Sequence, residues 1–284
     1  MTDRYAIIGN PVEHSKSPEI HAEFAREMAQ DIVYERLLAP LDGFAQTVDA
    51  FRTAHKLNAA GVNVTVPFKV EAFRYANQLT SRALRGGAVN TLKFEGATVL
   101  GDNTDGVGLC ADIEHNLGFQ MAGARVLVMG AGGAVRGVMG NLLDARPGLL
   151  AITNRSLDKA EAIAAQFGGA AKNKEKDKIR VMSLGELPRQ QFDLIINATS
   201  ASLSESLPLV PTASFAPDAL AYDMMYGKGQ TPFLALAANA GARTADGLGM
   251  LIEQAAEAFY VWRGLRPSTK SVLAMLRKRP GNTA

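Results

Sequence analysis

The chain has 284 residues, of which 47% are hydrophobic and 20% are charged. These values provide enough apolar side chains for a folded core and exclude a disordered protein. Thirty Lys and Arg residues nearly balance 28 Asp and Glu residues, and the charged run at 171–178 mixes both signs, so we expect no nucleic-acid partner.

The first residues and the cysteine content predict the compartment. The chain does not open with a basic segment followed by a long apolar stretch, and no run approaches the roughly 18 apolar residues that cross a bilayer. Cys110 is the single cysteine, so no disulfide forms within the chain. We therefore expect a cytoplasmic protein that does not bind membranes.

Strand and helix patterns alternate along the first third of the chain. Strands are predicted at 5–8, 33–38, 61–66, 88–93 and 98–100, with helices at 18–28, 43–54 and 68–76. A second series begins near residue 125. It has strands at 126–129, 149–153, 180–182, 194–196, 219–222 and near 243, and helices at 134–144, 156–167, 232–239, 248–263 and 268–277. This alternation predicts an α/β fold with largely parallel sheets, and the charged run at 171–178 is predicted to be a loop.

A glycine-rich turn separates the strand at 126–129 from the helix that follows it. Gly130, Gly132 and Gly133 allow a tight turn and close approach of a pyrophosphate to the helix N-terminus. The match to the dinucleotide fingerprint is imperfect because Val135 stands at the third glycine position, and glycine also serves a plain strand-to-helix turn. The strand–turn–helix setting favours dinucleotide binding.

The end of the next strand indicates which dinucleotide is preferred. An NAD site usually places an acidic residue there, whereas this strand ends in Thr153, Asn154 and Arg155, with no acid before Asp158. A guanidinium pairs with a 2′-phosphate, so the sequence predicts NADP rather than NAD. The alternative is that Arg155 only caps a surface helix.

Polar residues cluster after the first-third strands. Ser15 and Ser17 follow the first strand and could hold a carboxylate or a polyol, although Ser17 before Pro18 is also a good helix N-cap. Asn63 and Thr65 are predicted on one strand face. Lys69 then opens a helix, a position that the helix dipole disfavours, so this lysine needs a specific reason.

The runs at 86–91 and 101–106 complete the polar set. The second resembles a calcium loop superficially, but Ile113 stands where the closing Glu belongs. The four histidines show no metal-ligand spacing either, so we expect no metal. Asp105 and Lys69 both follow strand ends, where active sites of parallel sheets collect. A Lys–Asp contact favours both charged forms and suits proton transfer beside a carbonyl or hydroxyl.

Taken together, these motifs resemble the shikimate dehydrogenase family. The matching segments, in chain order, are 9–11, 14–18, 63–69 (Asn-Val-Thr-Val-Pro-Phe-Lys), 86–91, 101–108 (Gly-Asp-Asn-Thr-Asp-Gly-Val-Gly), 130–134, 153–155, 197–200, 222–224 with Tyr226, and 246–250 with Gln254. They cover nearly the whole chain, and several are long enough to be specific.

The resemblance implies two α/β domains flanking a cleft. Residues 1–107, completed by C-terminal helices at 248–284, would bind the substrate, and residues 108–247 would form a Rossmann-type NADP-binding domain. The implied reaction is the reversible reduction of 3-dehydroshikimate to shikimate by NADPH, in the biosynthesis of chorismate and the aromatic amino acids. The small-molecule substrate and NADP are the implied partners, and the chain would be a monomer or a homodimer.

The resemblance also implies roles for individual residues. Lys69 would be the proton-transfer group, and Asp105 would orient it and contact the substrate. The other substrate-binding positions are Ser15, Ser17, Asn63, Thr65, Asn90, Tyr226 and Gln254. The cofactor-binding positions are Gly130, Ala131, Gly132, Gly133, Ala134, Asn154, Arg155, Ser156, Lys159, Thr199, Met224 and Gly249.

The chain departs from the family at one point. After 197–200 the family usually continues with serine and glycine, whereas this chain has Ala201-Ser202-Leu203 in a loop that lies near the nicotinamide in the family. Two functions other than shikimate dehydrogenase are possible for such a sequence. A paralogue that acts on quinate as well as on shikimate, with NAD, would differ near Ser15, Ser17 and the end of the second Rossmann strand, where Arg155 stands without an adjacent acid. A catalytically silent dinucleotide-binding regulator would have lost Lys69 or Asp105.

Overall fold

Two α/β units make up the part of the chain that the computed structural model describes, which is residues 1–168, 179–199, 210–227 and 229–278. The first unit comprises Met1–Gly108 and Ile252–Val272, and the second comprises the described residues of Leu109–Leu251 and Leu273–Ala284. The charged run at 171–178 and the segment Ala201-Ser202-Leu203 lie outside the described residues.

The first unit is built on one six-stranded sheet with helices along its connections. Its elements are β1 (Asp3–Gly9), α1 (Ser17–Glu27), β2 (Ile32–Leu38), α2 (Phe44–His55), β3 (Ala59–Val64), α3 (Lys69–Tyr75), β4 (Gln78–Leu79), α4 (Ser81–Gly86), β5 (Thr91–Glu95) and β6 (Thr98–Asp102). The strand order is β2-β1-β3-β5-β6-β4.

Strand direction in this sheet determines where its polar loops meet. β1 runs parallel to β2 and β3, whereas β5 is antiparallel to both β3 and β6. The sheet is therefore mixed, because the two-residue connection between β5 and β6 is too short for a crossover and permits only a hairpin. Since β3 and β6 both oppose β5, they run in the same direction, and the loops after them lie at the same sheet edge.

The predicted elements of this unit differ from the structure in several places, which include the unpredicted strand β4 and the start of β5 at Thr91 rather than at residue 88. The strand predicted at 61–66 ends at Val64, because the Phe68 amide donates to the Thr65 carbonyl and the chain turns there. Helix α4 was not predicted. Its signals are local: the Thr80 hydroxyl caps it by accepting from the Ala83 amide, and Gly87 ends it at φ 60°, a left-handed conformation that favours glycine.

The second unit is a doubly wound sheet in which every pairing is parallel. Its elements are β7 (Arg125–Met129), α6 (Gly133–Asp144), β8 (Leu149–Thr153), α7 (Leu157–Gly168), β9 (Ile179–Val181), β10 (Phe192–Asn197), β11 (Phe215–Asp223), α8 (Pro232–Asn239) and β12 (Arg243–Asp246). The strand order is β9-β8-β7-β10-β11-β12, so successive strands are added on one side of β7 up to β9 and on the other side from β10 to β12. This is the Rossmann arrangement, and a dinucleotide usually binds at the point between β7 and β10 where the order changes.

Each unit has its own apolar core. In the first, Val62, Leu92 and Phe68 are among the residues packed beneath α2 and α3, and Trp262 covers Tyr5 while its indole N–H donates to the Leu92 carbonyl at 3.0 Å. In the second, two clusters cover the two faces of the sheet, as a doubly wound fold requires.

Three further helices each contain a point at which the chain passes from one unit to the other. The helix α5 (Asp105–Ala111) continues into a π-helical turn at Asp112–Asn116, and α9 (Leu248–Arg263) and α10 (Thr269–Arg277) close the described chain. Among the described residues, no helix is both long and apolar enough to cross a bilayer.

Candidate active site

The charged pair that the sequence suggested is formed in the first unit. Lys69 Nζ donates to Asp105 Oδ2 at 2.5 Å, and the side chains are 19% and 7% exposed. Lys69 is the first residue of α3, just after β3, and Asp105 is the first residue of α5, just after β6. The ion pair offsets the unfavourable helix dipole at Lys69 and fixes the ammonium beside a carboxylate.

Asn90 joins this pair to the rest of the site. Its amide nitrogen lies 2.8 Å from Asp105 Oδ1 and 3.2 Å from Gln254 Oε1, and its amide oxygen accepts from the Thr104 backbone N–H at 2.9 Å. Gln254 lies on α9, 164 residues along the chain from Asn90. The structure therefore brings four of the predicted residues, Lys69, Asp105, Asn90 and Gln254, into one polar network.

The loop that carries Asp105 is held by its own side chains. The Asn103 carboxamide oxygen accepts from the Asp105 amide at 3.1 Å, and the Asn103 amide group donates to the Ala88 carbonyl at 3.0 Å. Asp102 then accepts a bidentate pair of bonds from Arg82, both at 2.6 Å. Burial opposes ionisation of Asp102, but the bonds and the charge of Arg82 outweigh it and lower the pKa of this carboxyl.

The two predicted serines lie together at the start of α1. Ser15 Oγ donates to Ser17 Oγ at 3.2 Å and accepts from the Ser17 amide at the same distance. Ser17 is not the N-cap. The cap is Lys16, and Ser17 is the first residue of the helix. The Ser17 hydroxyl thus does not cap the helix, and the residue is 4% exposed.

Asn63 lies near the end of β3, and Thr65 is the first residue after it. Asn63 is 4% exposed, and its amide oxygen accepts from the Tyr34 hydroxyl at 2.8 Å while its nitrogen donates to Thr91 Oγ1 at 3.1 Å. Thr65 lies just past the strand, and its methyl group packs directly against Gly9, leaving no room there for a side chain. Asn63 is therefore satisfied within the protein, whereas Thr65 is partly exposed.

The buried side chain of His21 packs against Tyr34, the hydrogen-bond partner of Asn63. The His21 ring stacks on Tyr34 with centroids 4.4 Å apart and also faces Phe24 and Trp262. Full burial lowers the pKa of the imidazole to about 3, so the ring is neutral at physiological pH. The sequence predicts only an ordinary surface or packed imidazole at His21, with no functional role.

The glycine turn of the second unit is formed as predicted. Gly130 ends β7 with φ 118°, Gly132 precedes α6, and Gly133 begins the helix, followed by Ala134. Among the described residues, no atom lies within 4 Å of where a Cβ would stand on Gly132 or Gly133. The backbone is therefore open beside these two glycines, and the first-turn N–H groups of α6, which have no partner within the helix, suit a pyrophosphate.

The end of β8 carries the predicted cationic side chains. Arg155 and Lys159 are both exposed, and the Asn154 amide group donates to the Ser156 carbonyl at 2.9 Å, which forms the turn into α7. No acidic side chain precedes Asp158 after this strand. These groups fit a 2′-phosphorylated dinucleotide, since two exposed cations stand where an NAD site would carry a carboxylate.

The remaining predicted residues lie near the ends of β10, β11 and β12. Thr199 donates to Asn197 Oδ1 at 2.7 Å, and the Met224 amide donates to the Asn197 carbonyl at 2.9 Å. Ala131 belongs to the turn before α6. Gly249 packs against the buried Asp112 carboxylate, so the structure gives this glycine a packing role as well. Burial raises the pKa of the Tyr226 phenol.

The chain is similar to known protein families over most of its length. Residues 7–92 match a family model described as the shikimate dehydrogenase substrate binding domain, residues 112–206 match one described as shikimate / quinate 5-dehydrogenase, and residues 247–277 match the shikimate 5'-dehydrogenase C-terminal domain.

Individual relatives cover almost the whole chain. A protein of Dechloromonas aromatica named shikimate dehydrogenase (NADP(+)) is 57% identical over 281 residues, 98% of this chain and 99% of that protein. The crystal structure of an Ael1 enzyme from Pseudomonas putida is 44% identical with a TM-score of 0.88, covering 97% of this chain and 98% of that one. A shikimate 5-dehydrogenase from Thermus thermophilus, in complex with NADP(H) and shikimate, is 30% identical with a TM-score of 0.84, covering 98% and 99%.

Proposed function

The chain belongs to the shikimate dehydrogenase family, and from that premise we propose that Lys69 and Asp105 carry out its reaction. The protein is an NADP-dependent oxidoreductase that interconverts 3-dehydroshikimate and shikimate. The observation that supports these two residue roles is the 2.5 Å contact between Lys69 Nζ and Asp105 Oδ2, at the edge of the sheet where β3 and β6 end.

Reduction of a ketone requires a hydride at carbon and a proton at oxygen. NADPH, when bound, supplies the hydride. The Lys69 ammonium donates the proton to the oxygen as it becomes a hydroxyl, and in the reverse direction the Lys69 amine accepts that proton. Asp105 accepts a hydrogen bond from Lys69, which restricts the ammonium to one position, and its other oxygen is bonded to Asn90.

Hydroxyl and amide groups of the first unit would hold the substrate. Ser15 and Ser17 suit the carboxylate, since each offers an O–H donor, and Thr65, Asn90 and Gln254 suit the ring hydroxyls. Asn63 already bonds Tyr34 and Thr91, so its proposed role is to align Tyr34 and Asn90 rather than to contact the substrate strongly. Tyr226, in the second unit, completes the proposed set.

The second unit would hold NADP. The open turn at Gly130–Ala134 suits the pyrophosphate, and Arg155 with Lys159 suits the 2′-phosphate, with Asn154 and Ser156 forming the turn between them. Thr199, Met224 and Gly249 are proposed at the nicotinamide end. We assign substrate binding to 1–107 with 248–284 and cofactor binding to 108–247. A cytoplasmic location and a monomeric or homodimeric state are also part of this proposal.

Lysine variants test the proton-transfer role. Lys69→Ala should lower kcat roughly 10²–10⁴-fold, as loss of a general acid–base group does, with a cooperative unfolding transition retained. Lys93→Ala is a matched control, because Lys93 lies in the same unit and also pairs with a carboxylate, that of Glu95 at 2.7 Å, outside the site. Its kcat should stay at the wild-type value.

Asp105→Asn tests whether Asp105 acts on the Lys69 ammonium through its negative charge or only by accepting its hydrogen bond. An amide still accepts a bond from Lys69 but lacks the charge that holds the ammonium, so kcat should fall by less than in Lys69→Ala. An unchanged kcat in Lys69→Ala would remove the lysine from the mechanism. Equal losses in Lys69→Ala and Lys93→Ala would indicate that the effect is structural.

A further inference from the structure

Arg36 lies beside the two serines but belongs to a different element. It is an exposed residue of β2, and its guanidinium holds the loop after β1 by two bonds to one atom: Nη2 donates to the Ser15 carbonyl oxygen at 2.6 Å and Nε donates to it at 3.1 Å. The cation is therefore attached to the backbone of the residue whose hydroxyl contacts Ser17.

No described carboxylate neutralises the charge of Arg36. Within residues 1–168, 179–199, 210–227 and 229–278, no carboxylate forms an ion pair with it, whereas Arg82, Arg263 and Arg266 of the same unit each hold an Asp or Glu. Its bonds to a backbone carbonyl leave the net positive charge intact. A ligand carboxylate near Ser15 would meet that charge.

The charge of Arg36 also acts on the Tyr34 phenol, two residues away on β2. The pKa of the Tyr34 phenol is raised well above its usual value by burial, and a bond to Ser17 and the positive charge of Arg36 both act in the opposite direction. The Tyr34 hydroxyl donates to Asn63. The positive charge of Arg36 therefore lowers the pKa of Tyr34, although burial outweighs it.

We propose that Arg36 is the charge-selecting residue of the Ser15–Ser17 subsite, supplying the positive charge by which a substrate carboxylate is preferred over a neutral group. The inference rests on the proposed function, which assigns these serines to the carboxylate of shikimate. Serine hydroxyls bond a carboxylate and a neutral ester alike, since both offer oxygen acceptors, so the serines alone discriminate weakly between them. An unpaired guanidinium discriminates by charge.

The test compares shikimate with its methyl ester, which keeps the hydroxyls and loses the charge. Dissociation constants for both compounds are measured by calorimetry at two salt concentrations, on wild type, Arg36→Gln and Arg36→Lys. Arg36→Gln should weaken shikimate binding about three- to fivefold and ester binding less than twofold, a size typical of one exposed charge interaction. Arg36→Lys should retain most of the preference, and the salt dependence of shikimate binding should decrease in Arg36→Gln.

Two variants serve as controls. Arg52→Gln removes an arginine of the same unit that also donates to a backbone carbonyl, that of Gly96 at 3.0 Å, and it should leave both constants unchanged. Lys16→Gln removes the neighbouring cation at the start of α1 and should alter the preference less than Arg36→Gln does.

Three results would overturn the inference. One is equal weakening of shikimate and ester binding in Arg36→Gln, which would mean that the arginine only holds the loop. Another is an unchanged preference in that variant, and the third is a larger loss of preference in Lys16→Gln. Turnover of shikimate with NADP by wild type is recorded in parallel, because its absence would refute the proposed function rather than the role of Arg36.

Discussion

Replacing His21 with phenylalanine should change how the stability of the first unit depends on pH. The imidazole is fully buried among Tyr34, Phe24 and Trp262, and its pKa is lowered from 6.5 to about 3 by burial. An unfolded chain binds a proton on this residue below pH 6.5, whereas the folded chain does not do so until pH is much lower. The contribution of neutral His21 is therefore complete above pH 6.5 and is lost as pH falls.

The magnitude follows from the linkage relation. Each pH unit between the two pKa values costs about 1.4 kcal/mol, so the interval from pH 6.5 to 5.0 removes about 2 kcal/mol of unfolding free energy. This figure does not depend on how far below 5.0 the folded pKa lies. His21→Phe keeps a flat ring that can stack on Tyr34 and cannot be protonated, so the variant should lack this component.

The assay is urea unfolding at pH 7.5 and pH 5.0, followed by the fluorescence of Trp262. This residue is the single tryptophan and lies in the same unit, with its ring centroid 5.3 Å from that of His21. The difference between the two pH values should be about 2 kcal/mol smaller in His21→Phe than in wild type. His115→Gln, which replaces an exposed histidine, is the control. An equal pH difference in wild type and His21→Phe would refute the reasoning.

Three further predictions concern individual contacts. Arg155→Ala should raise KM for NADP at least tenfold while leaving turnover with NAD unchanged, because it removes a partner of the 2′-phosphate, and steady-state kinetics with both cofactors checks this. Ser15→Ala should raise KM for shikimate with little change in kcat, and an unchanged KM would remove Ser15 from the subsite. Arg82→Met should lower the unfolding free energy by roughly 3 kcal/mol at pH 7, because it leaves the buried Asp102 carboxylate without its cation and removes one of the two arginines paired with Glu257. Because the pKa of Asp102 is lower in the folded chain than in the unfolded chain, its carboxylate stabilises the fold above the unfolded pKa, and this stability is lost as pH falls. The deficit of Arg82→Met should therefore shrink below about pH 4. A deficit that stays constant would contradict this.

The periodicity of the chain was sufficient to predict the two α/β units and most strands and helices. Buried runs such as Val126–Met129 and Leu149–Thr153 are strands in the structure, and Thr231 caps α8 by accepting from the Leu234 amide. The short β4 and the helix α4 were missed because each has too few residues to show a period. The antiparallel β5–β6 hairpin was not distinguished from a parallel connection.

The candidate site was predicted from its residue types but not from its contacts. Lys69 was unusual for its place at a helix start, and that signal correctly anticipated a partner, although only the strand order shows that Asp105 is close. The sequence leaves two roles open for Ser17, and the cap at Lys16 excludes the N-cap role, so that substrate binding stays a prediction.

Other contacts have no local signal. Tyr34 meets Asn63 across 29 residues, and Arg36 reaches the Ser15 carbonyl across 21. Both depend on the pairing of β2 with β1, and such pairing is set by tertiary packing rather than by the residues of either strand alone. The His21 environment likewise comes from three separate elements, so its lowered pKa was not predictable from the sequence.

The most direct measurement is NADPH formation at 340 nm with purified protein, using shikimate or quinate with NADP or NAD in all four combinations. The account predicts turnover with shikimate and NADP, and at least tenfold lower kcat/KM in the other three combinations. Equal or better kcat/KM with NAD or quinate would contradict the roles of Arg155 and of the substrate subsite. Absence of turnover in all four would contradict the central claim that Lys69 and Asp105 form a working proton-transfer pair.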